Sequence, residues 1–520
     1  MRAGAVHRPA PAPLLAAGAI VAVAAAAPVA YLLVVIAGEP ASAWEAVWRG
    51  RTAGLLLRSV LLAAAVAAAA TALAVVLAWL TTRTDLPGRR VWTVLTALPL
   101  VMPSYVLAYL FVSALGPRGV LGEAIGIGLP RVEGFAGAWL VLTLSTYPLV
   151  LLPVRSALAG LDPQLEEAAR AMGRRPREVL ATVVAPQLVP AAGAGALLSA
   201  LYTLSDFGAV SIVRFDSFTR VIYQSYRASF DRTGAAALAA LLVGVMIVLL
   251  AAERARRRRT AYHRSAPGAA RPVRPVALGR WRGPAVALCA TVVGVALVLP
   301  AGMLVHWSRQ SVAGSVDWAS VAAATGNSLL LAAMAAGIAT LVALPVAWLG
   351  ARHAGRASAL VDAASTTGYA LPGIVVALSL VFVAIRVLPA VYQTLGLLVA
   401  AMVLLFLPLS VGATRAALAQ ISPSLEEAAR GAGRGPLAAA ATITLPLAAR
   451  GVLAGTALVF LAAIKELPAV VLLAPIGFDT LAVDIWQQTN RSFFESGAVP
   501  ALILLAVSAP ALWLLTERSR

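Results

Sequence analysis

Cysteine occurs once in this sequence, at Cys289, and lysine once, at Lys465. A single cysteine excludes an internal disulfide and any cysteine-held metal cluster, and its apolar surroundings make it a small core hydrophobe. A single lysine, flanked by Ile464 and Glu466, excludes a phosphate-binding loop, which needs glycines followed by Lys and then Ser or Thr. The four histidines, His7, His263, His306 and His353, have no ligand-like spacing, and no catalytic constellation gathers around them. Charge is scarce as well: 12% of residues are charged, against about a quarter in soluble proteins. Hydrophobic residues reach 61% and the mean hydropathy is +0.88, which excludes an ordinary soluble domain.

What the chain has instead is long apolar runs. They fall at 14–37, 59–80, 92–115, 135–158, 188–212, 235–252, 284–306, 327–349, 360–385, 394–415, 447–473 and 498–515. About 20 apolar residues in a helix cross a hydrocarbon layer of roughly 30 Å. A backbone in lipid must satisfy its own hydrogen bonds, and runs of this length do so as helices, since barrel strands would be shorter and would alternate. The expectation is an all-α polytopic protein of about twelve transmembrane helices in the lipid bilayer. Ala41-Ser42-Ala43 has the look of a signal-peptidase site, but the run before it exceeds the 7–15 residues of a signal core, so a retained first span is expected.

The formal net charge of +19 would suggest nucleic acid if the arginines were clustered on a soluble surface. They lie between the apolar runs: Arg83, Arg89 and Arg90, then Arg170, Arg174, Arg175 and Arg177, then a basic linker, then Arg352 and Arg356, Arg430 and Arg434, and finally Arg518 and Arg520. Arginines retain loops in the cytoplasm, so both termini are expected there and no nucleic-acid partner is. The segment 213–234 departs from the rule. It carries Arg214, Arg220, Arg227 and Arg232 beside Asp216 and Asp231 on the expected outer side, where a partly folded hairpin would fit.

The chain repeats itself. The Pro-rich basic linker 253–283 separates a first half, 1–252, from a second, 284–520. "MPSYVLAYLFVSAL" at 102–115 matches "LPGIVVALSLVFVA" at 371–384, and "LDPQLEEAARAMGRRPREVLATVVAP" at 161–186 matches "ISPSLEEAARGAGRGPLAAAATITLP" at 421–446. The offset is 269 in the first pair and 260 in the second, so the first half carries nine extra residues around "GPRGVLGEAIGIGLPRVEG". Six spans is an even number, so the halves share one orientation and form a parallel repeat.

Each polar copy spells out a helical hairpin. Asp162 or Ser422 can cap, Pro163 or Pro423 suits the first helical position, and acids follow in the first turns. Gly173 or Gly433 suits a left-handed exit, and a second short helix from Pro176 or Pro436 is expected to end near Pro186 or Pro446. Small alanines on the hairpin would let another protein approach closely, with Glu167 and Glu427 held by basic or backbone donors.

At these residues the sequence resembles the permeases of bacterial binding-protein-dependent ABC importers, whose signature reads EAA, three residues, Gly, nine residues, then Ile-x-Leu-Pro. Glu427, Ala428, Ala429, Gly433, Ile443, Leu445 and Pro446 fit throughout; the first copy has Glu167, Ala168, Ala169, Gly173 and Pro186 but Val183 and Ala185 at the apolar positions. The resemblance covers almost the whole chain. It implies a type I importer fold in the bacterial inner membrane. It further implies hairpins that couple to a pair of cytoplasmic ABC ATPases, and an extracytoplasmic substrate-binding protein. ATP would be used by the partner, and the chain itself would hold no cofactor.

Acids within spans are functional candidates, because charge in lipid is costly. Asp206 and Glu466 occupy equivalent positions about 20 residues past each hairpin, toward the outer part of the fifth and eleventh spans. They either border the substrate path or serve locally, Asp206 as the cap of an interrupted helix and Glu466 as a partner of Lys465. "SDFGAVSIV" and "IKELPAVVLLAPIGFDTLAVDIW" look like segments of fused ferric-iron permeases, and carboxylate oxygen suits a hard cation. Thiamine and phosphonate-type permeases share the layout, and an ion-coupled secondary transporter built from parallel halves is the alternative of another class.

Overall fold

The computed structural model describes residues 11–517 except 49, 118, 228–230, 260–274, 314–315, 354, 366–367, 369–370 and 492. Arg2, Arg8, Arg518 and Arg520, with His7, His263 and the middle of the linker, therefore lie outside the described residues. Among the described residues every regular element is helical, and the β-type pairing is an isolated bridge between Thr84 and Val276.

Ten of the described helices are long and apolar enough to cross a membrane: Ala12–Gly38, Gly50–Arg83, Gly134–Ala159, Pro176–Ser205, Arg232–Glu253, Gly279–Val312, Trp318–Arg352, Leu395–Ala419, Pro436–Ala463 and Phe494–Ala511. They coincide in order with ten of the twelve expected spans. The other two, the third of each half, are broken. In the first half Arg89–Val101 and Ser104–Ala114 meet at 97°, and in the second Arg356–Ser365 is followed by the short apolar helix Gly373–Val387. Pro103 and Pro372 each form the N-cap of the helix that follows the break, with ψ of 144°. A proline has no N–H to continue the ladder and pushes the residue before it out of the helical region.

The expected spans 188–212 and 447–473 are also interrupted, at Asp206 and at 464–467, where short helices Gly208–Ile212 and Pro468–Leu473 begin. Conversely, the second helix of each hairpin does not end at Pro186 or Pro446. It runs on into the span as a continuous helix, because a widened π turn at Leu180–Val184 or Ala440–Thr444 precedes the proline. The Ala185 N–H reaches the Leu180 carbonyl and Leu445 reaches Ala440, a local re-registration that accommodates the missing proline donor.

Small residues bring the helices together, as expected where lipid gives no hydrophobic drive for association. A Cβ on Gly195 would lie 2.6 Å from the Val150 Cα, and Ser199 donates to Thr146 at 2.8 Å across the same contact. The halves exchange their first helices. Ala12–Gly38 lies on the second half, where a Cβ on Gly18 would meet Leu349 at 2.7 Å and where Tyr31 donates to the Phe382 carbonyl at 3.3 Å. Trp307, on Leu299–Ala313, donates in turn to Ser113 of the first half at 3.1 Å. Ile20, Leu33, Leu57 and Leu341 stay exposed, the side chains a lipid-facing surface requires.

The segment 213–234 folds as anticipated in part: Phe218–Arg227 is helical, and Arg220 pairs with Asp216 at 2.7 Å. Its second-half counterpart is Leu481–Asn490. The two meet across the repeat boundary through Tyr223 and Trp486, whose rings are edge-on at 6.0 Å.

Candidate functional site: two hairpins and a central break

Each hairpin is built by the same local chemistry. Asp162 accepts from the Gln164 N–H at 2.9 Å and Ser422 from that of Ser424 at 3.4 Å, so both caps act as expected. Pro163–Ala171 and Pro423–Gly431 then end in left-handed glycines, Gly173 at φ +82° and Gly433 at φ +85°. The N–H of Gly173 returns to the Arg170 carbonyl and that of Arg174 to Ala169; Gly433 and Arg434 repeat the pattern with Arg430 and Ala429. Arg174 donates to Thr182 at 2.8 Å and Arg434 to Thr442 at 2.6 Å, which fixes the two arms of each hairpin against each other.

The outward face of each hairpin carries the signature residues. Glu167, Ala168, Glu427 and Ala428 are exposed, while Ala169 and Ala429 are buried against the hairpin's own base. The buried arginines take the preceding acids, Glu166 and Glu426. Arg83, at the end of the second span, pairs with Glu166, with side chains only 3% and 9% exposed. Arg352, at the end of the eighth, donates from Nε to Glu426 at 3.0 Å and from Nη1 to the Ile421 carbonyl at 3.0 Å. Losing one member of such a buried pair leaves an uncompensated charge, a cost of about 3–5 kcal/mol. Sequence reasoning read Arg83 and Arg352 as topology markers only. The signal was there: the two arginines are 269 apart and the two acids 260, the offsets that govern their segments.

Asp206 and Glu466 lie where the fifth and eleventh spans break. Asp206 is buried, accepts from the Val210 N–H at 3.1 Å and is hydrogen-bonded by Ser104, which starts the helix after the Pro103 break. Glu466 accepts from the Ala469 N–H at 3.3 Å and sits against Gly373, which starts the helix after Pro372. Each acid thus caps a short helix, the local role weighed for Asp206, and does so where the halves meet. A Cβ on Gly208 would lie 2.7 Å from Tyr105 Cβ and 3.0 Å from Leu467 of the other half. Lys465 turns its ammonium to the Leu100 carbonyl in the first half, at 3.5 Å. The Tyr202 phenol lies in the field of both acids, and the buried Tyr105 hydroxyl finds no partner among the described residues. Sequence reasoning missed Ser104, Tyr105, Tyr202 and the two glycines; the segment match at offset 269 does pair Ser104 with Gly373.

Two intertwined helical halves, each with a polar hairpin and an acid at a broken span, define a multi-pass transport permease. The chain belongs to the family described as binding-protein-dependent transport system inner membrane component, whose profile matches residues 70–261 and 339–516. It is 32% identical over 478 residues to the Fe(3+)-transport system permease protein FbpB 2 of Haemophilus influenzae, covering 91% of each chain. It is 31% identical over 179 residues to the molybdenum transport system permease protein ModB of Escherichia coli, covering 33% of this chain and 78% of that one. The sulfate transport system permease protein CysT of Escherichia coli is 25% identical over 211 residues, covering 39% and 76%. The chain is therefore the permease of an ABC importer, and the secondary-transporter alternative is set aside.

Proposed function

We propose that this permease imports ferric iron across a bacterial inner membrane, taking it from an extracytoplasmic binding protein and using ATP hydrolysed by two copies of a separate ATPase docked on hairpins 161–186 and 421–446. The observation that carries the cargo is likeness to a ferric permease along 91% of both chains, where the molybdenum and sulfate permeases match only a third or so of this one. The doubled hairpin supports a paired engine, one docking element for each ATPase. Contact would be made by Glu167, Ala168, Gly173, Glu427, Ala428 and Gly433, with buried Ala169 and Ala429 and the helical prolines Pro186 and Pro446 shaping the hairpins beneath. The arginine-rich ends support a cytoplasmic location for both termini, and in this reading the halves 1–252 and 284–520 act as rocking units joined by the linker.

In this reading Asp206 and Glu466 border the substrate path. Closure of the ATPases moves the hairpins, the halves rock, and the central break opens to the other side. Pumping requires that loaded binding protein and nucleotide favour different states. The test is the purified complex of permease, ATPase and binding protein in liposomes. Ferric-loaded binding protein should stimulate ATP hydrolysis and ferric uptake together. Stimulation by thiamine, a phosphonate, molybdate or sulfate instead would replace the cargo, and uptake without any ATPase would overturn the engine.

A further inference from the structure

The Glu-Glu doublet at the start of each signature is split between two faces. Glu167 and Glu427 are exposed, whereas Glu166 and Glu426 are buried, with only 7% and 5% of their surface exposed. Each inward acid meets the arginine that closes the second span of its own half. Arg83 and Arg352 end Gly50–Arg83 and Trp318–Arg352, and both are salt-bridged to their acid. A second arginine from the hairpin itself lies outside each pair, Arg170 at 3.6 Å and Arg430 at 3.8 Å. In the second half Thr444, in the π turn of the eleventh span, also donates to Glu426 at 3.1 Å; its counterpart Val184 cannot. The arrangement recurs although the halves differ in most residues, including the exposed Met172 against Ala432 and Arg177 against the exposed Leu437.

We infer that Arg83–Glu166 and Arg352–Glu426 are force-transmitting latches. Each fastens a docking hairpin to the second span of its half, so that a push on the hairpin moves that span as one body with it. The four residues are positioning residues, since they face away from the exposed signature side. The division of labour follows from direction: the outer glutamate of each doublet meets the ATPase, and the inner one carries the load into the membrane. This rests on the docking role proposed above.

The test uses the reconstituted complex and reads three quantities: ATPase co-purified with the permease, basal ATP hydrolysis, and ferric uptake per ATP. For E166Q/E426Q the ATPase should co-purify at wild-type yield and basal hydrolysis should persist, while uptake per ATP falls at least tenfold. The swapped pair R83E/E166R, combined with R352E/E426R, should recover a substantial part of it. For E167Q/E427Q the loss should appear in co-purification instead. A covalent substitute covers failure of these variants to fold: R83C/E166C joined by a short bis-maleimide should transport better than the same protein unjoined. Wild-type uptake per ATP in E166Q/E426Q overturns the latch, as does loss of uptake on cross-linking. ATPase that co-purifies and transports normally after both hairpins are disrupted overturns the docking role itself, a separate outcome.

Discussion

Gly373 and Glu466 touch so closely that a Cβ on the glycine would overlap the carboxylate Oε1, while the residue equivalent to Gly373 in the other half, Ser104, donates its hydroxyl to Asp206. The repeat thus keeps a small residue over each intramembrane acid but treats the two acids differently. A methyl at 373 meets chiefly the movable end of Glu466, with Pro468 Cγ at 3.2 Å beside it, so Gly373→Ala should displace the carboxylate without unfolding the protein. Gly208→Ala meets Tyr105 Cβ and Leu467 of the opposite half, and overpacking of that kind costs about 1–3 kcal/mol. The expected pair of results is a normal melting temperature with at least tenfold slower ferric uptake for G373A, and a lowered melting temperature for G208A. D206N/E466Q should match G373A. Normal uptake in G373A and in D206N/E466Q would leave both acids as helix caps and nothing more.

The left-handed glycines carry the second expectation. Nothing lies within 4 Å of a Cβ built on Gly173 or Gly433, so a substitution there meets no clash; its cost is the positive φ, about 1–2 kcal/mol for an L-residue. That strain re-aims the Arg174–Thr182 and Arg434–Thr442 contacts and so the outward face. Gly173→Val with Gly433→Val should insert and purify like wild type yet hydrolyse ATP with uptake reduced at least tenfold. Unchanged uptake would count against docking at these hairpins.

What the sequence made legible was whatever repeats. The order of the spans, the hairpin caps, the glycine exits and the equivalence of Asp206 with Glu466 all follow from local chemistry written twice. What escaped was set by tertiary packing. A hydropathy count cannot see that Pro103 and Pro372 each start a new short helix, since Pro148, Pro190 and Pro408 sit inside helices that stay continuous. Nor does it tell which glutamate of a doublet faces inward: Glu166 and Glu167 are identical in composition and differ only by 100° around a helix. The exchanged first helices were beyond reach altogether, because an apolar surface such as that of Ala12–Gly38 fits lipid and protein alike.

The linker's end offers the last test. Val276 brackets Thr84 through backbone bonds, Val276 N–H to Arg83 O at 2.8 Å and Asp85 N–H to Val276 O at 3.1 Å, and the Asp85 side chain accepts from the Leu278 N–H at 2.8 Å and from Arg282. The start of the second half's first span is thereby strapped to the end of the second span, next to Arg83. The Arg282 hydrogen bond, then the Leu278 N–H, hold the Asp85 carboxyl below its usual value. A carboxylate with a folded pKa below its unfolded one supports the strap above the ordinary aspartate value of about 3.9, and that support fades as pH falls through the lowered value. Hydrogen exchange should therefore show the Leu278 amide protected from pH 7 to about 5, after correction for intrinsic rates, and losing protection only below about 4. In Asp85→Ala the Leu278 amide should exchange at least tenfold faster at pH 7, whereas the Val276 amide, bonded to the Arg83 carbonyl, stays protected. Equal exchange of Leu278 in wild type and variant would mean that the strap is held by backbone pairing alone.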